Sequence, residues 1–111
     1  MYNIYDEDTG EKLKKPENYK GPFYSKVTDL HKDYLKALKD FGTNKFVDYK
    51  EWTEQCRKRK VKTNQGETPE LLSSFMIYGV FVSRGLIEIK KGKKRNLYRL
   101  TEKGKHYLER I

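Results

Sequence analysis

A chain of 111 residues fits one domain that buries roughly two-thirds of the surface its unfolded form exposes. With one cysteine, Cys56, it has neither an internal disulfide nor a cysteine-based zinc site to rely on. The lone cysteine, and the lack of a signal-like opening or any apolar run of about 18 residues, predict an intracellular, cytoplasmic protein outside the membrane. The formal charge of +9 is uneven: residues 1–55 hold 10 Lys/Arg against 11 Asp/Glu, and residues 56–111 hold 15 against 5. A surface for an anionic partner is therefore expected in the C-terminal half, facing nucleic acid, an anionic membrane or an acidic protein. The membrane would call for one basic amphipathic helix, whereas this charge sits on a helix end and a turn.

Residues 1–22 have no sustained period and read as an irregular arm before a domain over 23–111. Tyr2, Ile4 and Leu13 suggest a short strand, and Asp6-Glu7-Asp8-Thr9-Gly10 a solvated turn, since the trio of acids lacks the spacing of a calcium loop. From Ser25 to Phe41, Val27, Leu30, Tyr34, Leu35, Leu38 and Phe41 form one apolar stripe, which predicts a helix ending at Gly42, with His31 an ordinary boundary residue. A short strand is expected near Lys45–Val47. Asp48 and Glu51 form an acidic capping-box pair opening a second helix over 49–60, with Tyr49, Trp52 and Cys56 inward. Arg57-Lys58-Arg59-Lys60 complements the dipole at that helix's end, but five basic residues among the seven from Cys56 to Lys62 exceed what a helix end needs and suggest backbone contact with nucleic acid. Val61–Glu67, with Asn64-Gln65-Gly66, reads as a turn.

Thr68 as N-cap, Pro69 as first helical residue and Gly85 past the end predict a third helix over 69–84, with Leu71, Phe75, Tyr78 and Phe81 or Val82 inward. Met76, Ile77 and Val80 are then left outward. That apolar face is expected to be covered by the arm, covered by a second subunit in a homodimer through residues 76–80, or used to grip something apolar. Leu86-Ile87-Glu88-Ile89 and Asn96–Leu100 read as two strands around the basic turn Lys90–Arg95, and Thr101 caps a last helix over 102–110. Tyr34, Phe41, Tyr49, Trp52, Phe75, Phe81 and Tyr98 are expected in the core. Exposure of Tyr2, Tyr5, Tyr19, Tyr24 and Tyr78 stays open.

Helix, two-stranded ribbon with a basic tip, helix: the run "RGLIEIKKGKKRNLYRLTEKGKHYLE" resembles the wing and closing helix of the winged helix-turn-helix family of DNA-binding domains. The resemblance implies an α+β fold, mainly α with a small β-ribbon, behind the N-terminal arm. It also implies DNA binding through Arg57, Lys58, Arg59, Lys60 and Lys62 at the second helix, Ser73, Ser74, Tyr78 and Arg84 on the third, and Lys90, Lys91, Lys93, Lys94, Arg95 and Arg99 in the wing. Polar groups able to read base edges are scarce on the third helix, so phosphate contacts with little sequence preference are expected, single strands over duplex. An accessory role in replication, recombination or mobile elements would suit this. The alternatives are a dimeric regulator reading duplex DNA and a winged helix that docks a protein. No catalytic triad spacing, metal-ligand cluster or phosphate-binding glycine loop stands out, so neither an enzyme nor a cofactor or metal is expected.

Overall fold

The computed structural model describes residues 4–16, 19–62 and 74–110. Tyr2, the Asn64-Gln65-Gly66 turn, the Thr68-Pro69 cap, Leu71 and Ser73 lie outside them. Among the described residues the fold is α+β, with four helices and a three-stranded antiparallel sheet. In chain order these are α1 (Asp29–Lys39), β1 (Val47–Asp48), α2 (Tyr49–Lys58), the third helix α3, β2 (Ile87–Lys91), β3 (Asn96–Leu100) and α4 (Glu102–Glu109). The α3 helix is composite: α-helical over Ser74–Met76, π-helical over Ile77–Phe81 and 3-10 over Val82–Arg84.

Capping decides where the helices begin. The α1 helix starts at Asp29, not near Ser25, because Thr28 accepts the His31 N–H while the His31 ring accepts the Thr28 N–H. Asp48 and Glu51 form the same reciprocal pair at α2, as their spacing predicts. At its far end α2 stops at Lys58, two residues short of expectation. Lys60 adopts a left-handed backbone, φ 58, its N–H donating to the Arg57 carbonyl while Val61 N–H reaches back to Cys56. This is the turn in which glycine is favoured. The third helix closes in the same way, here with the expected glycine: Gly85 has φ 72, its N–H donates to Val82 and the Leu86 N–H to Phe81.

The sheet order is β1–β3–β2. Val47 faces Tyr98, and Ile87 and Ile89 face Leu100 and Tyr98. The β1 strand is Val47–Asp48, starting two residues later than the predicted Lys45–Val47 and paired to Tyr98 and Leu97 of β3. One face of the sheet closes over a core centred on Trp52, fully buried, whose indole N–H donates to the Tyr34 carbonyl at 2.8 Å. Phe81 and Tyr98 pack on that indole with ring centroids 5.9 and 5.6 Å away. Tyr34, Trp52, Phe81 and Tyr98 are core residues as expected and Phe41 packs against the core, whereas Tyr49 and Phe75 are exposed.

The inward stripe of the third helix differs from expectation. Ile77, Val80 and Phe81 are buried, Tyr78 and Val82 are half-buried, and Phe75 lies outward. The π-helical turn holds more than 3.6 residues, so a stripe extrapolated at the α-helical period is rotated across it. The Ile77 and Val80 side chains expected to face outward therefore fill the core of the single chain. Part of the opposite side is covered by residues 19–25. The Tyr19 ring stacks on Tyr78 at 5.5 Å, Tyr24 N–H donates to the Gly79 carbonyl, and a Cβ on Gly79 would lie 2.4 Å from the Pro22 carbonyl oxygen. Only glycine permits so close a backbone approach.

The expected solvated acidic turn needs a second correction. Glu7 and Asp8 are exposed, but Asp6 is 3% exposed and forms an ion pair with Arg84, itself 6% exposed, at 2.5 Å. Asp6 also accepts the Asp8 and Thr9 N–H groups. The remaining Arg84 donors go to the Val80 and Tyr24 carbonyls at 3.2 and 2.6 Å. Burial would raise the Asp6 carboxyl. The Arg84 hydrogen bond and charge and the two amides outweigh it and hold it below the ordinary carboxylate value. Burial and the Arg84 charge likewise push His31 down.

Two tests follow from the Asp6, Arg84 and His31 contacts, and a third from the left-handed Lys60. Asp6→Ala should cost about 3–5 kcal/mol by leaving a buried guanidinium unpaired, and adding Arg84→Met should recover much of the loss; a single variant as stable as the parent would contradict the pairing. Both depressed groups release protons on folding, so their stabilisation is complete above the unfolded values. It should fade in acid in two stages, below 6.5 for His31 and below 3.8 for Asp6, visible as a two-step pH dependence of the urea midpoint. Lys60→Gly should raise stability by about 1 kcal/mol by relieving the left-handed strain; no change in the midpoint would place the strain elsewhere.

Candidate nucleic-acid interface

The capping contacts that end α2 also present its basic run. Arg57 pairs with Glu54 one turn earlier at 3.0 Å, and Arg59 grips Asp40 at the end of α1 with two hydrogen bonds of 2.5 and 2.6 Å. The Arg59 hydrogen bond is the main reason the Asp40 carboxyl lies below its ordinary value, and the same bond raises Arg59. Lys58, Lys60 and Lys62 are exposed. Arg59, Lys60 and Lys62 line a cleft of about 280 Å³ with Asp33 and Val61.

Between β2 and β3, a Gly92 N–H to Arg95 carbonyl bond of 2.9 Å closes the turn and leaves Lys93 and Lys94 exposed on it; Lys90 and Lys91, expected in the turn, are exposed residues of β2. Arg95 turns back to Asp48 at 2.8 Å. The Glu51 amide is the first cause of the lowered Asp48 carboxyl, against the penalty of burial, and Arg95 adds to it. Arg99 is paired with Glu88, and its guanidinium lies over the Phe46 ring, 4.5 Å from the centroid; the Lys90 ammonium is 5.6 Å from the same centroid.

The residues expected to bind nucleic acid thus divide by type. All five arginines of the set, Arg57, Arg59, Arg84, Arg95 and Arg99, are held by carboxylates of the chain itself. Among the described residues Lys58, Lys60, Lys62, Lys90, Lys91, Lys93 and Lys94 pair with no carboxylate. Arg84 is a correction: it is buried and spent on Asp6, because the arm and the helix end need one cation between them. Tyr78 is half-buried beneath Tyr19, which occupies one face of its ring. Ser74 opens the described part of the third helix.

The lysines form two groups rather than one patch. Arg95 joins the β2–β3 turn to the first turn of α2, while Lys58 and Lys60 sit at its other end, about 15 Å away at 1.5 Å per residue. Phe46 escaped the sequence reading. Its only signal is the period-two alternation that puts it on the outer face of the sheet, opposite Val47.

Catalytic chemistry finds no footing at Cys56, whose thiol is pushed up to about 12 by burial and stays protonated at neutral pH. Among the described residues no three His, Cys, Asp or Glu side chains gather as metal ligands would, and no helix is long and apolar enough to cross a membrane. No family model, curated protein or solved structure matches the chain.

Proposed function

We propose that the protein binds nucleic acid through phosphate contacts made by its lysines, with little sequence preference and with single strands favoured over duplex DNA. The division of labour among the cations carries this reading. Reading a base edge in a groove calls for a planar fork such as an arginine free to make two hydrogen bonds. Here five of the six arginines of the basic half, all but Arg110, are engaged internally, and most of the exposed charges without a carboxylate partner are lysines, which act as point charges toward phosphate. Coverage of the third helix by residues 19–25 supports the same reading, because a helix under a layer of chain does not lie in a major groove.

The order helix, strand, helix, helix, strand, strand, with β1 beside β3, is compatible with a winged helix, and we read the fold as one. An accessory role in replication, recombination or a mobile element suits a binder of this kind.

Titration against labelled single-stranded and duplex DNA of unrelated sequences at several salt concentrations tests the proposal. Binding to both with little sequence effect, tighter to single strands, is the expected result. Replacing Lys91, Lys93 and Lys94 by Gln should flatten the slope of log affinity against log salt by about 0.7 per lost phosphate contact on single strands and about 0.9 on duplex. Arg95→Gln should flatten it less, since that charge already answers Asp48. Tight binding to one palindromic duplex alone would favour a dimeric regulator, and no binding at low salt would favour a protein-docking role.

A further inference from the structure

Strand alternation sorts the sheet into two faces. Val47, Tyr98, Leu100 and Ile87 point into the core, so Phe46, Leu97, Arg99, Glu88 and Lys90 belong to the outer face. An outer face would ordinarily be polar. This one holds an aromatic ring and a leucine, both half-buried, with two cations over the ring. Both nearby carboxylates are answered within the chain, Glu88 by Arg99 and Asp48 by Arg95, and Lys90, Lys91, Lys93 and Lys94 continue from the face into the wing turn without a partner carboxylate among the described residues. The face and its rim are therefore net positive around an apolar centre.

Arg99 is the informative group. Glu88 takes one edge of its guanidinium, while Nε is buried with no acceptor. Its side chain remains 28% exposed above Phe46. A planar cation so mounted offers a surface on which a nucleobase stacks, with the ring beneath as support.

We infer that the outer face of the sheet is a base-stacking platform for single-stranded nucleic acid, in which the Arg99 guanidinium on Phe46 receives a base while Lys90 and the wing lysines hold the flanking phosphates. This rests on the proposed phosphate-binding function and gives it a reason for strand preference. In a duplex the base faces are already stacked on one another, and a flat sheet face reaches only the backbone. A single strand supplies both a free base and phosphates, and stacking is indifferent to which base arrives.

The test compares an oligothymidine strand with an abasic strand of the same length, which keeps the phosphates and removes the bases. The wild-type protein should hold the base-bearing strand about 5- to 100-fold more tightly, the range that one stacked base supplies. Arg99→Lys keeps the charge and loses the plane. It should collapse that preference toward equality and leave the salt slope unchanged, and Phe46→Leu should do the same. Thermal melting accompanies both, and if Phe46→Leu does not fold, Arg99→Lys decides. Equal wild-type affinity for the two strands, or a preference that survives Arg99→Lys, would overturn the platform while the lysine–phosphate reading stands. Absence of binding to either strand would overturn both.

Discussion

The ion pair between Asp6 and Arg84 is the constraint around which this chain closes. Two charges almost wholly removed from water are tolerable only if each finds further partners, and here each does. The carboxylate takes two backbone amides of its own turn, and the guanidinium takes two carbonyls, one from its own helix and one from Tyr24. The Val80 carbonyl lies in the π-helical segment, and the Ser83 hydroxyl donates to the Gly79 carbonyl beside it, so the irregular turn is supplied with donors by the residues that end it. One step beyond Arg84, Gly85 turns the chain toward β2. Arm, third helix and β2 thus share a junction a few residues wide.

That junction gives the third helix two covered sides. Ile77, Val80 and Phe81 enter the core, and Tyr19, Pro22 and Tyr24 lie along Tyr78 and Gly79. The third helix is thus built into the body of the domain, and the unpaired lysines stand at the end of α2 and around the β2–β3 turn. Arginine and lysine follow the same logic. Arginines tie elements together, α1 to α2 through Asp40 and the β2–β3 turn to α2 through Asp48, and Lys103 joins α4 to Glu11, whereas the lysines at the end of α2 and around the β2–β3 turn are left in solvent.

Features set by local chemistry were legible in the sequence. The Asp48–Glu51 cap, the Gly85 exit, the Thr101 cap and the β3 strand depend on residues within a few positions of each other and appear where expected, while β2 runs on through Lys90 and Lys91, which the sequence assigns to the turn. What was not legible came from contacts between distant segments or from broken periodicity. The acidic turn looks solvated until Arg84 is brought to it. The stripe on the third helix looks α-helical until the π turn rotates it. Thr28, an unremarked residue, starts α1 at Asp29 rather than near Ser25 because His31 sits three positions on and completes a reciprocal cap. For the basic residues, number and segment were readable, but their division into tied arginines and unpaired lysines was not, since every partner except Glu54 comes from another element or segment.

The separation of Asp6 from Arg84, 78 positions along the chain, also orders events as the protein is made. Synthesis delivers Asp6 before Arg84, and it stays hydrated until that partner has followed. The α1–α2 hairpin, built from near neighbours, can assemble first, whereas seating the arm requires closing a loop that spans most of the molecule. On the ribosome residues 4–16 and 19–25 therefore emerge well before their partner and are among the last fixed, and their aromatic side chains stay open to chaperones until Arg84 emerges.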